Sequence, residues 1–396
     1  MSKVTVKDIS FEDRKVIMRA DFNVPLNDRG EITDDSRIRA ALETINYILN
    51  NSVSKLILMS HLGRPKGKVV DSLRMAPVAV RLSELLGQKV ENLNDCVGDK
   101  VKTFIDSSPA KVFLLENLRF HPEEKAGDED FARKLASLAD IYVNDAFGTA
   151  HRAHASTSVI AKFLPSCIGF LIEKEVKYLS EAVYNPEKPF AAILGGAKVS
   201  DKIGVVDNLL GKVDKIIIGG AMAYTFLKAE SVEVGASRVE EDKAGLAKQI
   251  LDNAKTKGVE IILPVDHLAV SDLDKPESKI NVDIIPQGFK GVDVGIKTIS
   301  LFKGKLKSAK TVLWNGPLGI FEDSEYARGT KEIALFLSEL DANVIVGGGD
   351  SAAAAKQFGV KDKLTHVSTG GGASLKFLEG KELPGIAVIP DKDNDI

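Results

Sequence analysis

Ten short apolar runs recur along the chain and do not alternate with polar residues: KVIMRADF (15–22), KLILMS (55–60), KVFLLEN (111–117), DIYVNDAFG (140–148), FAAILGG (190–196), KIIIGG (215–220), VEIILP (259–264), TVLWNG (311–316), VIVGGG (344–349) and LTHVSTGG (364–371). A half-exposed strand alternates, because its two faces see different surroundings. A run that stays apolar is covered on both faces, which is the habit of parallel sheets flanked by helices. The stretches between the runs suit that role. DDSRIRAALETINYILN (34–50), MAPVAVRLSELLG (75–87) and DEDFARKLASLAD (128–140) space apolar residues three and four apart. Strand, helix, strand in repetition predicts an α/β fold with right-handed crossovers. So many strands are unusual in one open sheet. The 396 residues therefore read as two doubly wound parallel sheets, one per domain.

The division falls in CIGFLIEKEVKYLSEAVYNPEKPF (167–190). Residues 169–184 carry helical spacing, and NPEKP (185–189) stops any helix, because proline cannot continue the hydrogen-bond ladder. The expected organisation is a first domain over 1–168, a connecting helix over 169–184, and a second domain over 185–380. A tail over 381–396 is expected to return to the first domain.

Composition excludes several function classes. The net charge is -3 with no polybasic or acidic block, so neither nucleic acid nor a membrane surface is expected as a partner. No apolar run approaches the roughly 20 residues that span a bilayer, and the N-terminal stretch lacks the apolar region of a signal peptide. The two cysteines, Cys96 and Cys167, form neither a CxxC motif nor a disulfide framework. A cytoplasmic protein is expected.

Ligands of doubly wound sheets bind beyond the carboxyl ends of the strands. In the first half those ends carry Asp21 and Asn23, then His61 and Arg64, then Asn117 and Arg119, then Asp145, His151, Arg152 and His154. Arg37 opens the helix after the first strand. Guanidinium forks match carboxylate and phosphate geometry, so this half is expected to hold a small, multiply anionic molecule. HRAH (151–154) has no thiolate pair or HExxH nearby, which favours anion-binding or structural histidines over a metal site. In the second half, five strand ends carry glycines where strand turns to helix. Backbone amides and helix N-termini at such turns bind phosphates, so a nucleotide or polyphosphate is expected there. Lys198 and Lys202 stand four apart, on one face if the segment is helical. Asp350 is an available magnesium ligand, or a plain helix cap. No GxxxxGK[ST] or GxSxG occurs. GGGDSA (347–352) fits a dinucleotide fingerprint, but no acidic residue stands where the ribose would need one. A nicotinamide-dependent dehydrogenase and a non-catalytic nucleotide binder are the rival readings.

Eight stretches in order carry a more specific message: RADFNVP (19–25), SHLGRP (60–65), LLENLRF (114–120), NDAFGTAHRAH (144–154), LGGAKVSDKI (194–203), GGAMAYTFLK (219–228), WNGPLGIFE (314–322) and STGGGASL (368–375). Together they resemble phosphoglycerate kinase, from Arg19 to about Gly385. The differences are small: Lys376 stands where the family often has an acidic residue, and Ile296 where it often has proline. The resemblance implies two Rossmann-like domains joined by a helix and a hinge, acting as a monomer. It implies reversible phosphoryl transfer from 1,3-bisphosphoglycerate to magnesium ADP, giving 3-phosphoglycerate and ATP, in glycolysis. The implied triose contacts are Asp21, Phe22, Asn23, Arg37, His61, Leu62, Gly63, Arg64, Arg119 and Arg152. The implied nucleotide contacts are Lys198, Lys202, Gly220, Gly291, Asn315, Pro317, Glu322, Gly348, Gly349, Asp350 and Ser351, with Asp350 toward Mg2+ and Glu322 toward the ribose. Arg37, Lys202, Gly371 and Gly372 are implied around the moving phosphoryl group. A carboxylate acceptor has no proton to lose, so no general base is required; positioning and charge neutralisation carry the reaction.

Overall fold

The computed structural model describes residues 3–392. The chain divides into two compact units. The first runs to Val176 and takes back the chain from Glu382 onward; the second is Lys177–Lys381.

The first unit is built on six parallel strands: β1 (Lys15–Arg19), β2 (Lys55–Met59), β3 (Val90–Asn92), β4 (Val112–Leu114), β5 (Ile141–Asn144) and β6 (Ser166–Ile168), in the order β3-β4-β2-β1-β5-β6. The first helix, Ser36–Asn50, buries Ile38, Ala41, Ile45 and Ile48 at the expected spacing. These pack with Val16, Met18, Leu56 and Leu58 in one core. In register, Arg19 stands beside Met59 and Asn144. The residues that follow β1, β2 and β5 therefore emerge on one edge. The chain turns back between β1 and β5, which opens a crevice there.

The second unit repeats the plan with β7 (Phe190–Leu194), β8 (Lys215–Ile218) and β9 (Glu260–Ile262). A separate antiparallel sheet, β10 (His267–Val270), β11 (Ile280–Val282) and β12 (Lys290–Val294), comes next. The main sheet is completed by β13 (Thr311–Asn315), β14 (Asn343–Val346) and β15 (His366–Val367). The six-stranded order is β15-β14-β13-β7-β8-β9, and the switch point lies between β7 and β13. All ten apolar runs form strands. The runs leave β3 and β6 unannounced, since each is three residues with little apolar length. They also leave the antiparallel β11-β10-β12 sheet unannounced, because strands such as KGVDV mix glycine and charge with apolar residues.

The helix expected over 169–184 is Phe170–Tyr184. Asp145 caps it: Leu171 and Ile172 donate their N–H groups to Asp145 Oδ1 at 2.9 and 3.2 Å. The sequence reading set Asp145 among the ligand-facing ends. Instead it is fully buried against Gly169, and burial pushes its carboxyl up to about 7. The same device recurs in the second unit, where buried Asp266 accepts from the N–H groups of Lys297 and Thr298 at 3.0 and 2.7 Å. Among the described residues no helix is long and apolar enough to cross a membrane.

Candidate active site

At the edge of the first sheet, Arg37 Nη1 donates to Asp21 Oδ2 at 2.9 Å. The loops that carry the other predicted residues are wired to one another. Phe22 N–H donates to Ser60 Oγ at 2.8 Å, and Gly63 N–H donates to Asn23 Oδ1 at 2.8 Å. Arg119 Nη1 donates to Gly63 O at 2.7 Å. Buried Asn117 ties three segments: its Oδ1 accepts from the N–H groups of Leu62 and Arg119, and its Nδ2 donates to Leu62 O and Leu73 O. Phe22 and Leu62 differ from the polar residues of this stretch. Their side chains belong to the hydrophobic core, so only their backbones can serve a ligand.

The cationic groups converge electrostatically. Burial, and then the charges of Arg19, Arg119, Arg152 and Arg37, hold His61 well below the usual imidazole range. His61 is therefore neutral. Arg19 Nη2 lies 3.1 Å from its Nδ1. A guanidinium only donates, so Nδ1 accepts and the ring proton sits on Nε2. Burial, and then Arg152 and Arg19, pull Arg119 down to about 10; burial lowers Arg152, with Arg64 and Arg19 adding to it and Asp21 opposing. A cluster that mutually repels in this way is relieved by an anion. Arg152 Nε donates to His151 Nε2 at 3.2 Å. His154 Nδ1 lies 3.8 Å from Glu124 Oε1, and burial, then the charges of Arg152, Arg19 and Arg119, hold its imidazole down to about 4.

Arg19 was not singled out from the sequence. It is 1% exposed, and its Nε donates to Ser156 Oγ at 2.9 Å, while Ser156 Oγ donates to Glu124 Oε1 at 2.6 Å. An arginine inside an apolar strand run was a usable signal. Glu124, its charge partner through Ser156, sits in HPEEK and gave none.

In the second unit two adjoining cavities hold every nucleotide residue named above. One, of about 650 Å³, is lined by Lys198, Lys202, Asn315, the Gly348–Ser351 turn, Gly371 and Gly372. The other, of about 360 Å³, is lined by Gly220, Gly291, Pro317 and Glu322 with the apolar walls Val292, Leu318 and Ile320. Gly196, Ala197 and Asp350 line both. The floor is the switch point, where β7 and β13 end in glycines. Gly195 N–H donates to Asn315 O at 3.0 Å, and a Cβ at Gly195 would lie 2.0 Å from Pro317 O. Gly316, at φ 110°, faces Gly195 just as closely. Lys202 Nζ donates to Asn315 Oδ1, and burial lowers its ammonium against the raising charges of Asp350, Asp201 and Glu379. Asn315 Nδ2 in turn donates to Gly347 O at 2.6 Å. Ser351 is buried, and its Oγ accepts from Gly316 N–H at 2.5 Å, so this hydroxyl braces the β13 end.

Lys198 and Lys202 do not share a helix face. The helix there is Ile203–Leu209, and residues 195–202 are loop; the loop brings both lysines to the cavity. Tyr224, Arg238, Leu273 and Lys290 line the smaller cavity and were not found from the sequence; Lys290, like Gly291, comes from β12. Lys376 lines the larger cavity and pairs with Glu379 at 2.9 Å.

Two α/β units, one with a cluster of desolvated arginines and the other with glycine-lined cavities of nucleotide size, define a phosphotransferase of a small anionic substrate. Comparison with known proteins makes this specific. The family model of phosphoglycerate kinase matches residues 6–381. A phosphoglycerate kinase of Thermosipho africanus is 54% identical, covering 99% of each chain, and one of Dictyoglomus turgidum is 55% identical, covering 99% of this chain and 100% of the relative. The solved phosphoglycerate kinase of Coxiella burnetii superposes with a TM-score of 0.89 at 39% identity, covering 98% of each chain. The chain belongs to the phosphoglycerate kinase family.

Proposed function

We propose that the two sites divide the family's reaction between them. That reaction is the reversible transfer of a phosphoryl group between 1,3-bisphosphoglycerate and ADP, giving 3-phosphoglycerate and ATP (EC 2.7.2.3), a step of glycolysis. The observation that carries the division is the contrast between the sheet edges: desolvated guanidinium groups on the first, glycine turns and amides on the second.

In this reading His61, Arg64, Arg119 and Arg152 hold the non-transferred phosphate of the triose. His61 offers its Nε2–H, and the arginines supply charge. Asp21 orients Arg37 toward the reacting carboxyl group. On the second unit, Val292, Leu318 and Ile320 face the base, Glu322 takes the ribose, and the Gly348–Ser351 turn and Lys198 take phosphates. Lys202, held by Asn315, meets the phosphoryl group in flight with the amides of Gly371 and Gly372. Asp350 fits a magnesium ion: it is an exposed carboxylate, a hard oxygen donor, at the opening of the Gly349–Gln357 helix inside the phosphate cavity. Magnesium bound with the nucleotide supplies neutralisation of phosphate charge. The carboxylate of 3-phosphoglycerate attacks unassisted, so no residue acts as base.

Each ligand is held by its own unit, and in-line transfer needs the reacting atoms about 3–3.5 Å apart. Closure about a hinge at the Phe170–Tyr184 helix therefore completes the site and excludes water. Small-angle scattering reads this as a smaller radius of gyration with both ligands bound; an unchanged radius in a saturated, active preparation counts against it. The enzyme is read as a cytoplasmic monomer. ATP formation from 1,3-bisphosphoglycerate and magnesium ADP in a coupled assay tests the activity, and its absence in a folded, ligand-binding preparation defeats the reading.

A further inference from the structure

Asp95, Cys96 and His121 lie outside both sites. Asp95 and Cys96 share the loop after β3, and His121 follows the turn after β4. A carboxylate oxygen, the thiol sulfur and a ring nitrogen of the three lie within 4.8 Å of one another. His121 Nε2 is 2.7 Å from Asp95 Oδ1, and Cys96 Sγ donates to Glu116 O at 2.9 Å. Cys96 is fully buried, whereas Asp95 and the edge of His121 reach the surface. The three are held from behind. Cys96 N–H donates to Asp95 Oδ1 at 2.6 Å. Glu116, under the thiol, accepts from Arg74 Nη1, Met75 N–H and Asn117 N–H at 2.8–3.0 Å. The His121 ring packs on Phe131 with centroids 5.0 Å apart. Donor atoms converged on fixed supports are what a metal site needs before the metal arrives.

The donor chemistry narrows the ion. Magnesium and calcium prefer sets made wholly of oxygen, whereas one sulfur, one imidazole and one carboxylate suit a borderline-soft ion. The thiol is desolvated by burial first, and Asp95, Glu116 and Glu124 then add negative charge around it. That arrangement disfavours a lone thiolate and favours a dication beside it.

We propose that Asp95, Cys96 and His121 form a three-ligand site for a divalent cation of the zinc class, open to water at the fourth position. Binding exchanges one proton: the Cys96 S–H bond breaks, a sulfur–metal bond forms, and the proton leaves to buffer. The Glu116 carbonyl gives up its S–H donor, and the proton that His121 Nε2 donates to Asp95 passes through solvent to Nδ1 of the same ring, which frees the Nε2 lone pair for the metal and leaves the thiol proton as the one released.

The test is a titration of the full chain, free of nucleotide, with Co2+. The expected result is a thiolate-to-cobalt charge-transfer band saturating at one ion per chain, with one proton released. Zn2+ displaces the band and excess Mg2+ does not. Cys167→Ser leaves the band in place, Cys96→Ser abolishes it, and His121→Asn and Asp95→Asn each weaken Co2+ binding by about tenfold or more. Should Cys96→Ser fail to fold, the two surface variants carry the test. Absence of the band at millimolar Co2+, its survival in folded Cys96→Ser, or unchanged affinity in both surface variants overturns the proposal.

Discussion

Gly195→Ala probes whether the switch point of the second sheet sets the geometry of the nucleotide site. β7 and β13 run in register with Leu194 beside Asn315, and Gly195 continues the ladder. The added Cβ would stand 2.0 Å from Pro317 O and 2.8 Å from Gly316 O, both backbone atoms that no rotamer change can move. Carbon–oxygen contacts settle near 3.3 Å, so the strand ends must part by roughly 1.3 Å. That parting carries Asn315, which holds Lys202, and Pro317, which lines the smaller cavity. Overpacking of this kind costs about 1–3 kcal/mol. A displacement near 1 Å of positioning groups costs about 10²-fold in rate. The expected outcome is kcat/KM for the nucleotide lowered about 10²-fold and a lower urea midpoint with an unchanged m value. Calorimetric binding of 3-phosphoglycerate should be retained, because the site proposed for that ligand lies on the other unit. Gly304→Ala serves as the contrast. It lies exposed within the Ile296–Leu306 helix with nothing within 4 Å of the new Cβ, so it gains up to ~1 kcal/mol. Wild-type nucleotide KM and kcat in Gly195→Ala would refute the reasoning.

Lys202→Ala is expected to lower turnover by about 10²–10³ while keeping much of the ADP affinity, since phosphoryl charge is redistributed mainly in the transition state; steady-state kinetics with near-normal turnover would remove it from the catalytic set. Arg119→Ala is expected to weaken 3-phosphoglycerate binding and leave ADP binding intact, and calorimetry showing a large loss of ADP affinity would overturn the assignment of ligands to units. Asp145 is expected to make stability fall with rising pH. Its folded pKa of about 7 lies above the usual 3.8, so its favourable contribution is complete below pH 3.8 and is lost as the pH rises through 7, by up to ~1.4 kcal/mol per pH unit. Asp145→Asn removes that dependence, so urea stability of the variant should gain on the wild type between pH 5 and pH 8; a constant difference would contradict the account.

Unbroken apolar runs revealed ten of the fifteen strands among the described residues, because burial on both faces leaves a one-dimensional mark. The helix Phe170–Tyr184 was legible from its spacing and from the prolines beyond it. The glycines and arginines at strand ends were legible as two chemically different edges, on which the proposed division of ligands rests, because parallel sheets place such ends on one edge. Contacts that join distant segments left no such mark. That Asp145 caps a helix through Leu171 and Ile172, while Asp21 orients Arg37, depends on where the loops turn after β5 and β1. The sequence shows an aspartate after a strand in both cases. The tautomer of His61 follows from an arginine 42 residues away in the chain, and the coming together of Asp95, Cys96 and His121 follows from two loops meeting. Periodicity and residue type are properties of neighbours along the chain, so the chain alone carries them. Desolvation and charge–charge distance are properties of neighbours in space, and only the folded structure decides them.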